Sequence, residues 1–399
     1  MDRTRFTLCL CAFNGGMSVA IILPILAPLI RELGLSETQG GWMISLGSLA
    51  MALMGLKWGA LSDRLGRKPV LMIGFGGLFL GWTSFTLLAW SGLSGLLQGT
   101  ALFFSLIAAR TLVGGFLSAP PSSTQAYMAD TTSTPAERGA GMAMIGAAGG
   151  LGMVVGPALS AALVLHGLLW PLMLAAALPL VMLVVVAVML PAAAPRPRNP
   201  GTARLSPLHP GLRNWLLIGL VTMISVVTIN LTAGFYFQDR LGLDARETAS
   251  LLAIGLTLVG VMLMTAQTLQ ARVMRWPPRR LVLTGAPLLA LGAVVMLASA
   301  QALSYCVAYA LFGAGIGLIL PGFMAGASLA APEGRQGAVA GLCQLMQGLG
   351  TIVAPLASTA LYRLEPTLPF WMLLALAALA ALAALRAPKE EKRPNDALA

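Results

Sequence analysis

Twelve long apolar runs, almost free of charge, dominate this chain and leave it few ways to fold. They cover residues 6–30, 39–61, 69–90, 97–121, 139–164, 168–191, 213–237, 247–270, 280–300, 302–326, 336–361 and 367–386. Each suits an α-helix crossing a bilayer, which needs about 20 residues. Of the 399 residues, 57% are hydrophobic and 10% charged. A soluble domain carries about 25% charged residues, so water cannot be the main solvent here. Membrane β-strands would alternate apolar and polar residues over segments of about ten positions. These runs are instead continuous and rich in Leu, Ala, Gly and Met. The expected fold is all-α and integral to the membrane, with twelve transmembrane helices.

Basic residues choose the orientation. With the amino terminus in the cytoplasm, the inner face collects Arg3, Arg5, Lys57, Arg64, Arg67, Lys68, Arg138, Arg196, Arg198, Arg204 and Arg213. It also collects Arg272, Arg275, Arg279, Arg280, Arg335, Arg386, Lys389, Lys392 and Arg393. The outer face receives Arg31, Arg240, Arg246 and Arg363. Cytoplasmic loops are enriched in Lys and Arg, so both termini are expected in the cytoplasm. The net charge of +11 follows from these loops. It is not gathered with aromatic or polar readers, so no nucleic-acid partner is expected. Cys9, Cys11, Cys306 and Cys343 all fall in apolar runs and read as small packing residues.

The longest polar interruption, Pro191 to Leu212, carries five further prolines and opposes a stable helix. It divides the chain into a six-helix bundle at 1–191, a cytoplasmic linker at 192–212, a second six-helix bundle at 213–387 and a cytoplasmic tail at 388–399. A shift of 198 residues superposes Gly150-Leu-Gly152 on Gly348-Leu-Gly350, and Val155, Pro157 and Ser160 on Val353, Pro355 and Ser358. That is the mark of a parallel repeat, and the substrate site is then expected between the two pseudo-symmetric bundles.

Between the second and third runs lies Gly59-Ala-Leu-Ser-Asp63-Arg64-Leu-Gly66-Arg67-Lys68. This charged, glycine-punctuated knot resembles the loop signature of the major facilitator superfamily. The resemblance implies a secondary transporter whose knot latches the cytoplasmic side shut when the transporter faces outward. In that reading Asp63 meets a helix amino terminus of the other half, where the dipole favours an anion. Arg67 pairs with an acid at the inner end of the fourth helix, where Asp130 stands. Gly59 and Gly66 permit close backbone approach and tight turning. The matching loop of the second half, from Ala271 to Arg280, keeps its basic residues but has no acid, so the latch is one-sided.

Arg110 sits mid-bilayer in the fourth run. Arginine at that depth costs at least about 2.5–3.5 kcal/mol and marks function. Arg110-Thr-Leu-Val-Gly114 resembles the family's fourth-helix pattern, associated with proton transfer and cavity electrostatics. Its partner is expected to be Asn14 on the first helix or an anionic substrate group. Helices 1, 4, 7 and 10 line the cavity in this superfamily, which makes Asn14, Arg110 and Asn230 the candidate pathway residues. Gly152-Met-Val-Val-Gly156-Pro157 resembles the core of the antiporter motif typical of drug:proton exporters. The match is partial: Ala143 stands where a glycine is expected, and Ser160-Ala161 replaces a trailing Gly-Gly. The plain alternative is close helix packing by small residues.

No acid sits deep within the runs. Many drug:proton antiporters of this kind carry a buried carboxylate that alternates between proton and cationic drug. Its absence leaves proton coupling to Asp63, Asp130, Asp239 or His166, and tilts the substrate towards anionic, zwitterionic or neutral compounds. The favoured expectation is a monomeric, proton-coupled exporter of a small amphipathic drug or metabolite, such as a siderophore. It would sit in the bacterial cytoplasmic (inner) membrane, with no cofactor and no catalytic or metal site. The alternative is an uptake permease for a sugar or organic anion. An intramembrane enzyme is more distant: His166 and His209 are the only histidines, and no nucleophile–base set or metal-ligand motif accompanies them.

Overall fold

The computed structural model describes residues 2–132, 135–191, 209–298, 301–330 and 336–387. Most of the expected linker, with Arg196, Arg198 and Arg204, lies outside these residues, as do Arg335 and the tail at 388–399. The side chain of Arg138 also lies outside the description.

The first bundle contains α1 (Arg3–Ala20), α2 (Leu23–Glu32), α3 (Glu37–Leu65), α4 (Arg67–Leu93), α5 (Gly99–Leu117), α6 (Ala119–Asp130), α7 (Pro135–Val164) and α8 (Leu169–Met189). The second contains α9 (Arg213–Leu241), α10 (Ala245–Leu269), α11 (Pro278–Ala298), α12 (Ala302–Leu329), α13 (Gln336–Leu364) and α14 (Leu368–Arg386). Eleven segments are long and apolar enough to cross a membrane, and the bent α3 makes twelve.

Two expected spans are each built from two helices. The first breaks at Ile21–Ile22, and Pro24 occupies the first turn of α2, where its missing N–H costs nothing. The fourth breaks at Ser118, and prolines again open the next helix. That span runs to Asp130, nine residues past its expected end at 121. Helix α3 bends by 42° between Gly55 and Lys57. Beyond α10, a π-helical turn from Gln270 to Met274 ends at Arg275 in the left-handed region, with φ 45°.

Lipid cannot drive apolar helices together as water does, so packing rests on small residues that let backbones touch. Glycines of α7 let α1 approach. A Cβ on Gly152 would stand 2.2 Å from the Phe13 carbonyl oxygen, and one on Gly156 would stand 2.9 Å from the Ile21 nitrogen. The second bundle repeats this arrangement. Gly350, the counterpart of Gly152, faces Met223 of α9, where a Cβ would stand 2.7 Å from that side chain. Pro157 and Pro355 are both inside their helices, and Ser160 and Ser358 are both fully buried. The repeat legible in sequence is thus a repeat of helix contacts.

Both ends of the described chain lie on one side. Arg3 donates to the Val188 carbonyl and Lys68 to that of Ala187, while Asn214 donates to the carbonyl of Arg386. We call this the basic end. The opposite, far end carries Arg31, Glu37, Asp239 and Tyr362.

Candidate functional site

Gly66 joins α3 to α4 with φ 91° and ψ 163°, a conformation essentially reserved for glycine. This turn brings Arg67 back under the end of α3. Arg67 is buried, its side chain only 9% exposed. Nε donates to Asp130 Oδ2 at 2.9 Å, while Nη1 donates to Asp63 Oδ1 and to Ser62 Oγ, the latter at 3.1 Å. Ser123 on α6 donates to Ser62 at 3.2 Å. The expected Arg67–Asp130 pair is therefore present, and it ties α3, α4 and α6 together at the basic end. Arg64 is exposed and Lys68 anchors α8.

Two contacts expected of the knot when the transporter faces outward are not made in this structure. Asp63 pairs with Arg67 of its own bundle, not with a helix of the other. Gly59 has open space around it, with no atom within 4 Å of where a Cβ would stand, so no close approach exists there. Both accord with bundles that, among the described residues, are not bonded to each other at this end. Among the described residues, the hydrogen bonds and ion pairs joining the bundles lie in the far half. Ser45 donates to the Ile352 carbonyl at 2.7 Å, Arg363 to Thr38 Oγ1 at 3.4 Å, and Arg31 to Asp239. Packing follows the same pattern. Gly41 faces Pro355 and Thr359, Gly234 faces Ala27, and midway down Gly260 faces Val154.

The far closure is ionic. Arg31 Nη1 and Nη2 donate to the two oxygens of Asp239 at 2.7 and 2.9 Å. The same guanidinium donates to Glu37 Oε1 through Nε and Nη2, at 3.2 and 2.9 Å. Tyr362 donates its hydroxyl to Asp239, and Arg31 lies over the Phe235 ring at 5.2 Å. The sequence reading missed this node. Arg31 counted there only as an outer-face charge, and no local spacing marks a pair separated by 208 positions. Beside it a cavity of about 400 Å³ is lined by Glu32, His166, Trp170 and Arg246.

The three candidate pathway residues do not converge. Arg110 makes no hydrogen bond among the described residues. Its guanidinium lies over the Trp82 ring of α4 at 5.0 Å, and its Nε is buried without a partner. The expected Asn14 partner is instead bonded by Ser18 Oγ at 3.3 Å and is 3% exposed. Asn230 is partly exposed. It stands one turn below Gly234 on the same face of α9, just beneath the far closure. Gly114, four residues after Arg110, serves α3–α5 packing: a Cβ there would meet the Gly47 carbonyl oxygen at 2.0 Å. Gly152, Gly156 and Pro157 sit where α7 crosses the break between α1 and α2. The loop after α10 is held by Gln270, whose amide bonds both the N–H and the carbonyl of Trp276 at 3.2 and 3.0 Å. It carries no acid, in line with a one-sided knot.

The α7 glycines separate a tolerated from an untolerated methyl. Gly152→Ala forces α1 and α7 apart, an overpacking that costs about 1–3 kcal/mol. Gly150→Ala meets open space and is expected to be neutral. Thermal unfolding of the two purified variants checks this.

Two six-helix bundles joined, among the described residues, through their far halves fit the architecture of a membrane transporter built from paired repeats. A sequence profile described as the Major Facilitator Superfamily matches residues 8–341 and 268–399, and the chain belongs to that family. Tetracycline resistance protein, class C, of Escherichia coli is 24% identical over 361 residues, covering 87% of this chain and 86% of that protein. In fold, the chain is similar to the nucleoside transporter NupG, with TM-score 0.79 and 10% identity over 97% of this chain and 100% of that one. The human organic anion transporter MFSD10 (TETRAN) superposes with TM-score 0.66 and 20% identity over 97% and 99%.

Proposed function

We propose that this transporter exports a small amphipathic compound against an inward flow of protons across a bacterial cytoplasmic membrane. In this reading the basic end faces the cytoplasm, and the structure is the state open to the inside. Similarity to a tetracycline resistance protein along most of both chains supports the outward direction. The partial antiporter motif points the same way.

The observation that carries alternating access is the α3–α13 seam. Gly41 packs on Pro355 and Thr359. Gly59 lies eighteen residues further along α3, five full turns, and so shares that face. Eighteen residues back along the antiparallel α13 from Thr359 stands Gly341. Gly59 and Gly341 both have open space around them. The 42° bend in α3 separates them here. When the far end opens and the basic end closes, these two glycines meet, and Asp63, one turn on, reaches the amino terminus of α13. There the helix dipole favours its charge by about 0.3–1 kcal/mol. Arg67 then keeps Asp130.

Gly59→Leu is accordingly expected to leave folding intact and to abolish transport, because its side chain fills the seam only in the other state. A normal melting temperature with lost transport is the expected result. Unchanged transport would remove the seam from the mechanism.

The export reading is tested in an efflux-deficient bacterium expressing the chain. Accumulation of tetracycline, puromycin and a fluorescent organic anion is measured with and without a protonophore. Lower accumulation of one compound, restored by the protonophore, supports export. Higher accumulation of the organic anion would establish an uptake permease instead.

A further inference from the structure

The far-end node contains one guanidinium and two carboxylates, each from a different element. Glu37 belongs to α3 in the same bundle as Arg31, so it follows Arg31 in any rigid-body rocking. Asp239 belongs to α9 in the other bundle and must leave Arg31 when the far end opens. Opening therefore separates a satisfied pair, Arg31 with Glu37, from a carboxylate that keeps only the Tyr362 hydroxyl. Losing a cation favours the neutral form of a carboxylic acid.

We propose that Asp239 is the proton-operated latch of the far gate. Its carboxylate takes a proton from the aqueous phase at that end, releases Arg31 and lets the bundles part. Arg31 and Tyr362 are its positioning residues. Reclosure requires Asp239 to return the proton to that same aqueous phase before the pair re-forms, so the latch gates opening and by itself carries no proton across the membrane. In the export reading, this couples an acidic exterior to outward opening. The latch itself rests on geometry alone and stands whichever way the substrate moves.

The neighbouring charges leave this role to Asp239. On α2, Glu32 is turned to the cavity that also holds His166 and Arg246. On α10, Asp244 and Glu247 bond each other's backbone N–H in a capping box. On α13, Arg363 is bonded to Thr38. Arg240 follows Asp239 on its own helix, and its charge acts on Tyr236 and on Tyr305 of α12. Among α14's residues, Arg386 is the charged one and lies at the basic end. Asp239 is the acid that is bonded across the two bundles.

The test is a distance measurement on the full chain in lipid nanodiscs. Spin labels are placed at Leu96→Cys and Leu364→Cys, two far-end positions exposed by 71% and 78% in opposite bundles. The four native cysteines are replaced. The expected result is one short distance at pH 7.5 and a long-distance population that grows as pH falls into the ordinary carboxylate range, about 4. Asp239→Asn, a neutral isostere, should show the long distance at both pH values. Glu37→Gln and His166→Gln should keep the pH response. Tyr362→Phe removes a hydrogen bond that favours the ionised form, so its opening midpoint should rise by about one pH unit. A wild-type response in Asp239→Asn would overturn the proposal. So would loss of the response in Glu37→Gln or His166→Gln, which would move the switch to those groups. If Asp239→Asn does not fold, an unmoved midpoint in Tyr362→Phe overturns it instead.

Discussion

Arg67→Ala is expected to abolish transport and to destabilise the protein by about 2–3 kcal/mol. Arg67 is the buried centre of the knot, bonded at once to Asp63, Asp130 and Ser62. Hydrogen bonds to charged groups contribute about 1.5–3 kcal/mol each. Removing the guanidinium leaves two carboxylates facing each other with side chains 30% and 29% exposed. Water reaches both in part, so the loss stays below that of a fully buried pair. The effect on transport is larger. In the proposed cycle Arg67 holds α3, α4 and α6 as one body while Asp63 alternates between it and α13. Without Arg67, the end of α3 is no longer fixed when the seam closes. Arg67→Lys keeps the charge but offers no planar fork to two acids, and should keep a minor fraction of the rate. Transport by cells and thermal unfolding of purified variants check both claims. A melting temperature unchanged in Arg67→Ala would mean that the three-way ion cluster carries no weight.

Arg110→Met is expected to act in the opposite sense on stability: a higher melting temperature with transport lost. The guanidinium of Arg110 has no hydrogen-bonding partner among the described residues, and its Nε is buried. Trp82 offers a ring face at 5.0 Å, which contributes about 0.5–2 kcal/mol of cation–π attraction. Arg110 as a whole is only partly exposed, and that attraction falls short of the share of an ion's several-kcal/mol burial cost that this position incurs. Met fills a similar volume and packs against aromatic rings without the charge. A gain of about 1–3 kcal/mol is the expected sign and scale, following the usual replacement of buried ions by apolar groups. A residue that destabilises its own fold is retained for what it does. If Arg110→Met instead melts earlier, Arg110 has a structural partner; if it transports normally, the charge has no part in the cycle.

Membrane class, helix number and repeat were legible because lipid makes a simple demand: about 20 apolar residues per crossing, with charge left at the ends. The Arg67–Asp130 pair was legible through the knot's resemblance to the superfamily's loop signature, which implies an acid for Arg67 at the inner end of the fourth helix. The reading failed where a polar stretch continues a helix. The apolar run of the fourth span ends at 121, before Ser122, Ser123, Thr124 and Gln125. In the fold Ser122 bonds the Ser118 carbonyl and Ser123 bonds Ser62, which satisfies those two hydroxyls inside α6. The far-end node failed for another reason. Arg31 looks like an ordinary charge at the end of a span and Asp239 like a lone acid open to a proton, and only the packing of two bundles makes them partners. Arg110 illustrates the limit of depth alone: position along a helix predicted Asn14, whereas rotation about the helix axis selects Trp82. The glycines of α7 were found as a motif, and the structure shows them to be the surface on which α1 crosses.

The central claim, outward transport driven by protons, is tested most directly in everted membrane vesicles containing the chain. Respiration acidifies their interior, and an acridine dye reports the gradient by its quenched fluorescence. The account predicts that adding an exported compound from the panel restores fluorescence as protons leave and the compound enters, and that Arg67→Ala vesicles do not respond. Absence of a response across the panel, with the compounds moving only down their own gradients, would contradict it.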